Sequence, residues 1–284
     1  MSNLIQIKEI LEKYNKIPKH SLGQNFLINP EIAKKTAETS LGNSDGESSG
    51  VIEIGPGIGA LTCELCGLYK KVAAVEIDRT FEPVLNEVLA GCSNLNIIFD
   101  DILKVDLHNL VENEFPGFDK IYVCANLPYY ITTPVILKLL KSGVKFDGIT
   151  VMIQKEAADK LCSKAGEENY NATAAVISYY GEAKKMFNVP KSSFYPQPKV
   201  LSAVVAIVPH DLPAAVPKNE NMTYKIIEAA FEHRRKTLVN ALVSGLNLEK
   251  EKVAGAVKKV AGSENIRGEE LNIRMFSDIS DLLL

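Results

Sequence analysis

Between Val51 and Gln154, short apolar runs rich in β-formers alternate with stretches whose apolar residues recur at helical spacing. VIEI (51–54), VAAVEI (72–77), LNIIF (95–99), IYVCAN (121–126) and ITVMIQ (149–154) read as strands. Helices are predicted near 60–69, 79–90 and 133–142 and again after Gln154, while LNIIF leads into an acidic loop. Strands alternating with crossover helices imply a mostly parallel sheet with helices on both faces, and nearly continuous apolar strands fit burial on both sides. Upstream, an amphipathic helix near 2–15, a polar loop KHSLGQNFLINP (19–30) and a helix near 31–39 precede GNSDGESSG (42–50), a flexible loop by composition. Downstream, KMFNVP and VLSAVVAIVP read as two strands flanking KSSFYPQPK, whose prolines exclude helix. The pattern changes at Pro209. A Pro-containing linker, HDLPAAVPKNEN, is followed by helical stretches near 222–233, 235–244, 248–260 and 269–283. The expected organisation is an α/β domain over 1–208, with a helical extension at 1–42, and a small all-α domain over 209–284.

Composition narrows the class. The 284 residues allow one large domain, or a large and a small one, and 46% hydrophobic with 24% charged content excludes global disorder. No run approaches the roughly 18 apolar residues of a membrane span, and MSNLIQIKEILEKYNK lacks an uninterrupted apolar signal region, so a cytoplasmic protein is expected. Five cysteines (Cys63, Cys66, Cys92, Cys124, Cys162) form no framework and read as reduced, mostly buried thiols. Cys63 and Cys66 make a CxxC inside a predicted helix, with no second CxxC or nearby His to complete a metal site, so small core residues are the better reading. The four histidines are scattered singly, and no metal is expected.

Candidate chemistry begins at EIGPGIGALT (53–62), which sets Gly55, Gly57 and Gly59 between a strand and a helix. Glycine serves where backbone turns tightly and approaches a ligand without a Cβ in the way. Glu76 ends the next strand, 19 residues after Gly57, where a carboxylate can accept from both ribose hydroxyls. Asp101 follows the third strand, placed to meet the far side of an adenine. An adenosine-bearing ligand across the carboxyl ends of the strands fits this set; NAD, FAD and S-adenosylmethionine all satisfy it.

NLPYY (126–130) follows the fourth strand. The exocyclic amine of adenine is a poor nucleophile because its lone pair is delocalised into the ring. A site that accepts both N–H hydrogens, from the Asn126 side-chain oxygen and the Leu127 carbonyl, favours a pyramidal nitrogen with its lone pair turned to an electrophilic methyl. Pro128 fixes φ and aims the carbonyl, and Tyr129 offers an aromatic face for an unstacked base. An ordinary Asn-x-Pro turn would explain these residues in isolation; the glycine turn and the acids on neighbouring strands weigh against it.

NLPY at this strand end resembles the ribosomal RNA adenine dimethyltransferases, and KHSLGQNFL (19–27), EIGPGIGALT, VEID (75–78), NLPYYITTPVI (126–136), MIQKEAADKL (152–161), FYPQPKVLSAVV (194–205) and AAFEHRRKTLVNAL (229–242) resemble segments of that family in the same order. The resemblance implies a Rossmann-like class I methyltransferase fold, a mostly parallel seven-stranded sheet with a small C-terminal all-α domain, and S-adenosylmethionine as cofactor. It implies that Asn25, Leu27 and Gly57 contact the cofactor, with Gly55 under its methionine part, Glu76 on the ribose and Asp101 on the adenine amino group. Asn126 would border both cofactor and target base, and Phe194 would stack on the flipped adenine. Two departures are Gly268, where the family usually has proline, and Asn171, where glycine is common.

The implied reaction is an in-line displacement by adenine N6 on the sulfonium methyl, without a covalent enzyme intermediate or a dedicated base. The implied substrate is two adjacent adenines in the 3′-terminal hairpin loop of small-subunit (16S) ribosomal RNA, within an immature subunit, and the enzyme is expected to act as a monomer. Unstacking a base costs less in a loop than in a duplex. Arg234, Arg235 and Lys236, expected to begin a helical stretch, are assigned to phosphate contact; the N-terminal lysines (Lys8, Lys13, Lys16, Lys19) suit a solvated helix face at least as well. An erythromycin-resistance type enzyme acting on large-subunit RNA is the near alternative. A nicotinamide oxidoreductase leaves NLPY unexplained, and a non-catalytic assembly or transcription factor leaves Glu76, Asp101 and NLPY without a use.

The net charge of −3 argues against coating nucleic acid by bulk charge, yet it is unevenly spread. Residues 43–119 carry 4 Lys+Arg and 14 Asp+Glu, a net of −10, which leaves +7 on the rest. The acidic block suits ribose, adenine and a cationic sulfonium; the positive remainder is expected to face RNA.

Overall fold

The computed structural model describes residues 4–19 and 22–284; His20 and Ser21 of the KHSLGQNFL segment and residues 1–3 of the predicted first helix lie outside them. Helix α1 (Leu4–Lys13) sets Ile7 and Leu11 four residues apart on one face, buried against Phe26, Phe81 and Leu85. The N-terminal lysines serve the same unit: Lys13 pairs with Glu87, and Lys8 and, beyond the helix, Lys16 lie over the rings of Tyr195 and Phe81. After β1 (Phe26–Leu27), α2 (Pro30–Leu41) starts where the Asn29 side chain accepts the N–H groups of Glu31 and Ile32 and Pro30 supplies a fixed φ. The 42–50 segment is more ordered than its composition implies. Asp45 caps a 3₁₀ turn at Gly46–Ser48, and buried Ser49 and Gly50 already belong to the next strand.

That strand, β2 (Ser49–Ile54), opens the repeating part: α3 (Ala60–Leu68), β3 (Lys71–Glu76), α4 (Glu82–Val88), β4 (Leu95–Phe99), α5 (Leu107–Glu114), β5 (Lys120–Asn126), α6 (Thr132–Lys141), β6 (Gly148–Gln154) and α7 (Lys155–Leu161). Helix α5 is missing from the sequence reading, which takes this stretch as acidic loop. Asp106 caps it through the N–H groups of His108 and Asn109, and it buries Leu107 and Leu110, too few apolar positions to show a period amid Asn and Glu. The chain continues with α8 (Ala172–Tyr180), β7 (Gly181–Val189), β8 (Phe194–Tyr195) and β9 (Ser202–Pro209), and ends with α9 (Glu220–Glu232), α10 (Leu238–Leu246), α11 (Lys250–Ala261) and α12 (Ile273–Leu283).

Seven strands form one sheet in the order β4-β3-β2-β5-β6-β9-β7. Strands β2, β3, β4, β5 and β6 are mutually parallel, and β9 runs antiparallel to β6. Val51, Ile52, Ala73, Ala74, Val123, Cys124, Val151 and Met152 are wholly buried, as strands covered on both faces require. From β2 the chain winds outward through β3 to β4, then returns to the other side of β2 at β5. Such a reversal opens a crevice at the carboxyl ends of the central strands. A second, two-stranded sheet joins β1 to β8 antiparallel, with Phe26 opposite Tyr195 and Leu27 opposite Phe194. Both segments read as loop in the sequence, because two-residue strands carry no period.

The chain divides into two compact units. The first runs to Ala158 and resumes over Lys184–Pro209; the second comprises Asp159–Ala183 and His210–Leu284. The structure thus moves residues 159–183 out of the α/β unit assigned to 1–208. They hold α8, whose burial of Ala174, Ala175 and Ile177 against its neighbours is a tertiary property. In the second unit α8 packs on α9 and α12, α9 on α10, and α11 on α10 and α12. Tyr170 meets Phe231 edge to face at 5.5 Å between centroids, and Phe231 lies tilted against Phe276 at 6.2 Å.

Both departures from the family pattern have packing reasons here. Asn171 caps α8, accepting the Ala174 N–H at 3.1 Å and donating to the Lys160 carbonyl at 2.9 Å. Gly268 is buried, and a Cβ there would sit 2.8 Å from the Ala230 Cβ, so neither alanine nor proline enters without displacing α9. Gly268→Ala is expected to lower the stability of the chain by about 1–3 kcal/mol, as overpacking does, measured by urea unfolding.

Candidate active site

The crevice at the carboxyl ends of β2–β5 is lined by residues from most sequence motifs of the first unit, including Asn25, Leu27, Gly55, Gly57, Glu76, Asp101, Asn126, Leu127, Pro128, Tyr129 and Phe194; MIQKEAADKL contributes none. All the cofactor and target-base positions inferred from the sequence therefore meet in one cleft, except for the basic triplet.

Its floor is the glycine turn after β2. Gly55 has φ +72°, its N–H donates to the Val75 carbonyl at 2.9 Å, and a Cβ at this position would meet open space. The position needs glycine for its backbone conformation, and the turn's surface stays accessible to a ligand. Gly57 has φ +59°, and a Cβ there would press 3.1 Å from the Phe26 ring. Glu76, at the end of β3 and 4% exposed, accepts the Asp78 N–H at 2.8 Å and the Gly57 N–H at 3.3 Å. Burial pushes its carboxyl above the ordinary range, with these backbone donors offsetting part of the rise. Asp78 beside it is also buried, which works to raise its pKa. The Lys19 ammonium at 2.8 Å and the Thr80 donors outweigh this and hold it below the usual carboxylate range. This ion pair ties the 19–27 segment to the end of β3.

Asp101 points one carboxylate oxygen at the Leu103 N–H, 2.9 Å away, and the other lies 3.9 Å from exposed Lys104. Ile77 and Leu103 line the cleft although they are 54% and 37% exposed, which gives its wall apolar faces against which a flat ring can lie. Neither was singled out from the sequence; an isoleucine directly after Glu76, where the strand ends and cover stops, is the signal that could have found it.

Across the crevice, Asn126 Nδ2 donates to the Asn25 carbonyl at 3.2 Å, which leaves Oδ1 as the acceptor of that amide. Asn25 thus acts on the NLPY turn through its backbone, while its side chain closes its own loop on the Gly23 carbonyl. The Leu127 N–H is anchored to the Met152 carbonyl at 3.1 Å, and Pro128 sits at φ −55°. The Tyr129 hydroxyl bonds that of Ser202 at 3.1 Å, which fixes the ring, and burial raises its pKa. Phe194, 4% exposed, reaches this cleft through the pairing of β8 with β1.

The basic triplet lies in the second unit, in the turn between α9 and α10 and not at a helix start. Arg234 is committed within that unit, to Glu269 at 2.7 Å and to the Glu168 carbonyl. Arg235 and Lys236 are exposed. Among the described residues no group of three or more His, Cys, Asp or Glu side chains could hold a metal. All five cysteines are free thiols, with only Cys124 buried and the rest partly so, less burial than the sequence reading expects. Among the described residues no helix is long and apolar enough to cross a membrane.

The sequence profile of the ribosomal RNA adenine dimethylase family matches residues 15–281. The chain belongs to this family. It is 42% identical over 282 residues to the ribosomal RNA small subunit methyltransferase A of Bacillus licheniformis, covering 98% of this chain and 96% of that protein. It is 41% identical over 279 residues to the protein of the same name from a Geobacillus strain, covering 97% and 95%. Among solved structures, a dimethyladenosine transferase from Plasmodium falciparum is similar at a TM-score of 0.73 and 28% identity, over 89% of this chain and 95% of that one. The 23S rRNA methyltransferase ErmE shares the fold at a TM-score of 0.68 and 21% identity, over 91% and 99%. Family membership makes the protein a methyltransferase with S-adenosylmethionine as methyl donor. The donor suits the residues present: the cleft lining contains Glu53, Glu76, Asp100 and Asp101 and, among the described residues, no Lys, Arg or His. A cationic sulfonium is favoured in such a field and a dinucleotide's pyrophosphate is not.

Proposed function

We propose that this enzyme transfers methyl groups from S-adenosylmethionine to N6 of two adjacent adenines in the 3′-terminal hairpin loop of small-subunit ribosomal RNA. The product is N6,N6-dimethyladenosine, formed on an immature subunit in the cytoplasm. The observation that carries this reading is the meeting of the Asn126–Tyr129 turn with Glu76, Asp101 and Phe194 in one acidic cleft. The names of the relatives above, which specify the small subunit, support it.

When bound, the donor supplies an electrophilic methyl. Glu76 accepts from its ribose, Asp101 from its adenine amino group, and the Gly55 turn leaves space for its methionine part. Asn126 Oδ1 and the Leu127 carbonyl accept the two hydrogens of the target amine, which withdraws the lone pair from the ring. Tyr129 and Phe194 hold the flipped base by stacking. Positioning and exclusion of water carry the acceleration, and the proton leaves from the alkylated ammonium to solvent.

The protein, labelled S-adenosylmethionine and unmethylated small subunits are mixed and the RNA digested. Labelled dimethyladenosine is expected from small subunits and none from large ones; no labelled adenosine from either defeats the reading.

We assign RNA docking to the second unit, with Arg235 and Lys236 on phosphates and Arg234 holding their turn. Replacing Arg235 and Lys236 together by alanine is expected to weaken subunit binding and to reduce the slope of log K against log salt by about 1–2, since each lost phosphate contact removes roughly 0.7–0.9. An unchanged slope in filter binding removes these residues from the interface.

A further inference from the structure

Glu53 has no part in the contacts assigned so far. It lies one residue before the end of β2, 1% exposed, between buried Ile52 and Ile54 and in register with Ala74 on β3 and Cys124 on β5. It lines the cleft, and its Oε2 has no hydrogen-bond partner. A buried acid in this condition lacks either a proton or a cation.

Among the described residues, no cation stands with the groups that face it. Glu76 faces it from β3, the Thr62 hydroxyl and the Cys63 and Cys66 thiols from α3, and the Cys124 thiol from β5. Two basic side chains reach acids near the cleft, but Lys19 pairs with Asp78 and Lys104 with Asp101. Burial first, and then the like charge of Glu76, push the Glu53 carboxyl up to about 8, a rise that neighbouring Thr62 offsets only in part. Neither Thr62 Oγ1 nor Glu53 Oε2 makes a well-formed hydrogen bond. In the ligand-free protein at neutral pH, Glu53 is therefore mostly protonated.

We propose that Glu53 is the charge-sensing residue of this cleft: it releases its proton when a cationic ligand enters, so that the sulfonium donor is held in preference to its neutral thioether product. The proposal rests on S-adenosylmethionine as the donor and adds a reason for turnover. On donor binding the Glu53 proton goes to solvent and the carboxylate faces the sulfonium. Methyl transfer leaves a thioether with no charge on sulfur, the carboxylate loses its counter-ion, and it takes a proton back from water as the product loosens. Glu53 is a specificity residue here and does not touch the target amine.

The sign follows. The ionised form binds the sulfonium better, and the free-state carboxyl ionises near pH 8. The preference for S-adenosylmethionine over S-adenosylhomocysteine should therefore rise from pH 6.5 to 8.5 by about tenfold, the effect of about one unit of pKa displacement, and then level off. Both dissociation constants are measured by titration calorimetry across this range for the wild type and Glu53→Gln. The α-amino group of each ligand titrates in both proteins, so the difference between proteins reports Glu53. The variant should keep S-adenosylhomocysteine binding and lose about tenfold of the preference at pH 8.5, with no rise across the range. Wild-type calorimetry at pH 7 in buffers of different ionisation enthalpy gives a second reading that survives a misfolded variant. More protons should be released with S-adenosylmethionine than with S-adenosylhomocysteine. Equal proton release for the two ligands, or an unchanged preference and pH profile in a folded Glu53→Gln, overturns the proposal while leaving the donor assignment intact. Failure of the wild type to bind either ligand overturns both.

Discussion

Asn126→Ala should reduce methyl transfer to adenine by about a hundredfold or more, measured as labelled dimethyladenosine per unit time under single turnover. The dissociation constant for S-adenosylmethionine should move by less than about tenfold. Removing one preorganised hydrogen-bond partner of the reacting group costs about 10²–10³ in rate where the partner acts on developing charge. Asn126 is held for such a part. Its Nδ2 is fixed on the Asn25 carbonyl, so Oδ1 keeps one orientation without the target present. Alanine removes the acceptor and also frees the Asn25 carbonyl, so both sides of the turn loosen. The cofactor contacts proposed above fall mainly on other residues, Glu76 among them, which is why the two measurements should separate. Wild-type turnover in this variant would sink the assignment of the NLPY turn to catalysis.

Replacement of Glu76 should show the opposite separation. Glu76→Ala is expected to raise the dissociation constant for S-adenosylmethionine by about a hundredfold or more, since hydrogen bonds to a charged group contribute about 1.5–3 kcal/mol each and ribose offers two hydroxyls. The carboxylate also receives the Gly57 and Asp78 N–H groups, so its loss releases the glycine turn from the end of β3. Its own burial raises its pKa, so in the ligand-free fold the ionised form is disfavoured and this group's contribution to stability falls as pH rises through the folded-state value. Glu76→Gln should therefore bind the donor weakly while melting no lower than the wild type at pH 8, readable by calorimetry and thermal unfolding on one sample. Unchanged affinity in Glu76→Gln would exclude the ribose role.

Much of this site was legible because it lies at strand ends. Strands β2, β3 and β5 are nearly continuous apolar runs, broken in β2 by Glu53, and in a parallel sheet their carboxyl ends all open on one side. Naming the residue after each run, Gly55, Glu76 and Asn126, was thus enough to predict that they meet. Helices α5 and α8 escaped notice because one buries only Leu107 and Leu110 and the other is apolar nearly all round, so neither displays a helical stripe.

Arg234 shows where local reading fails in the other direction. Three adjacent cations look alike in sequence, but Glu269, 35 residues on, takes one of them for the fold. Likewise the lysines of α1 resemble a solvated basic face, and Lys13 pairs with Glu87, 74 residues away.

The sequence by itself determined the parallel sheet, the order of its motifs and the chemistry they imply, because strand period, glycine turns and caps act over a few residues and are written locally. Tertiary structure alone decided that β1 pairs with β8, which carries Leu27 and Phe194 into the cleft from 167 residues apart. It also decided that Asn25 reaches Asn126 through its carbonyl and that Glu53 Oε2 lies buried without a hydrogen-bond partner. Such facts depend on which distant groups share a low-dielectric space. No local pattern records the neighbours that a side chain lacks.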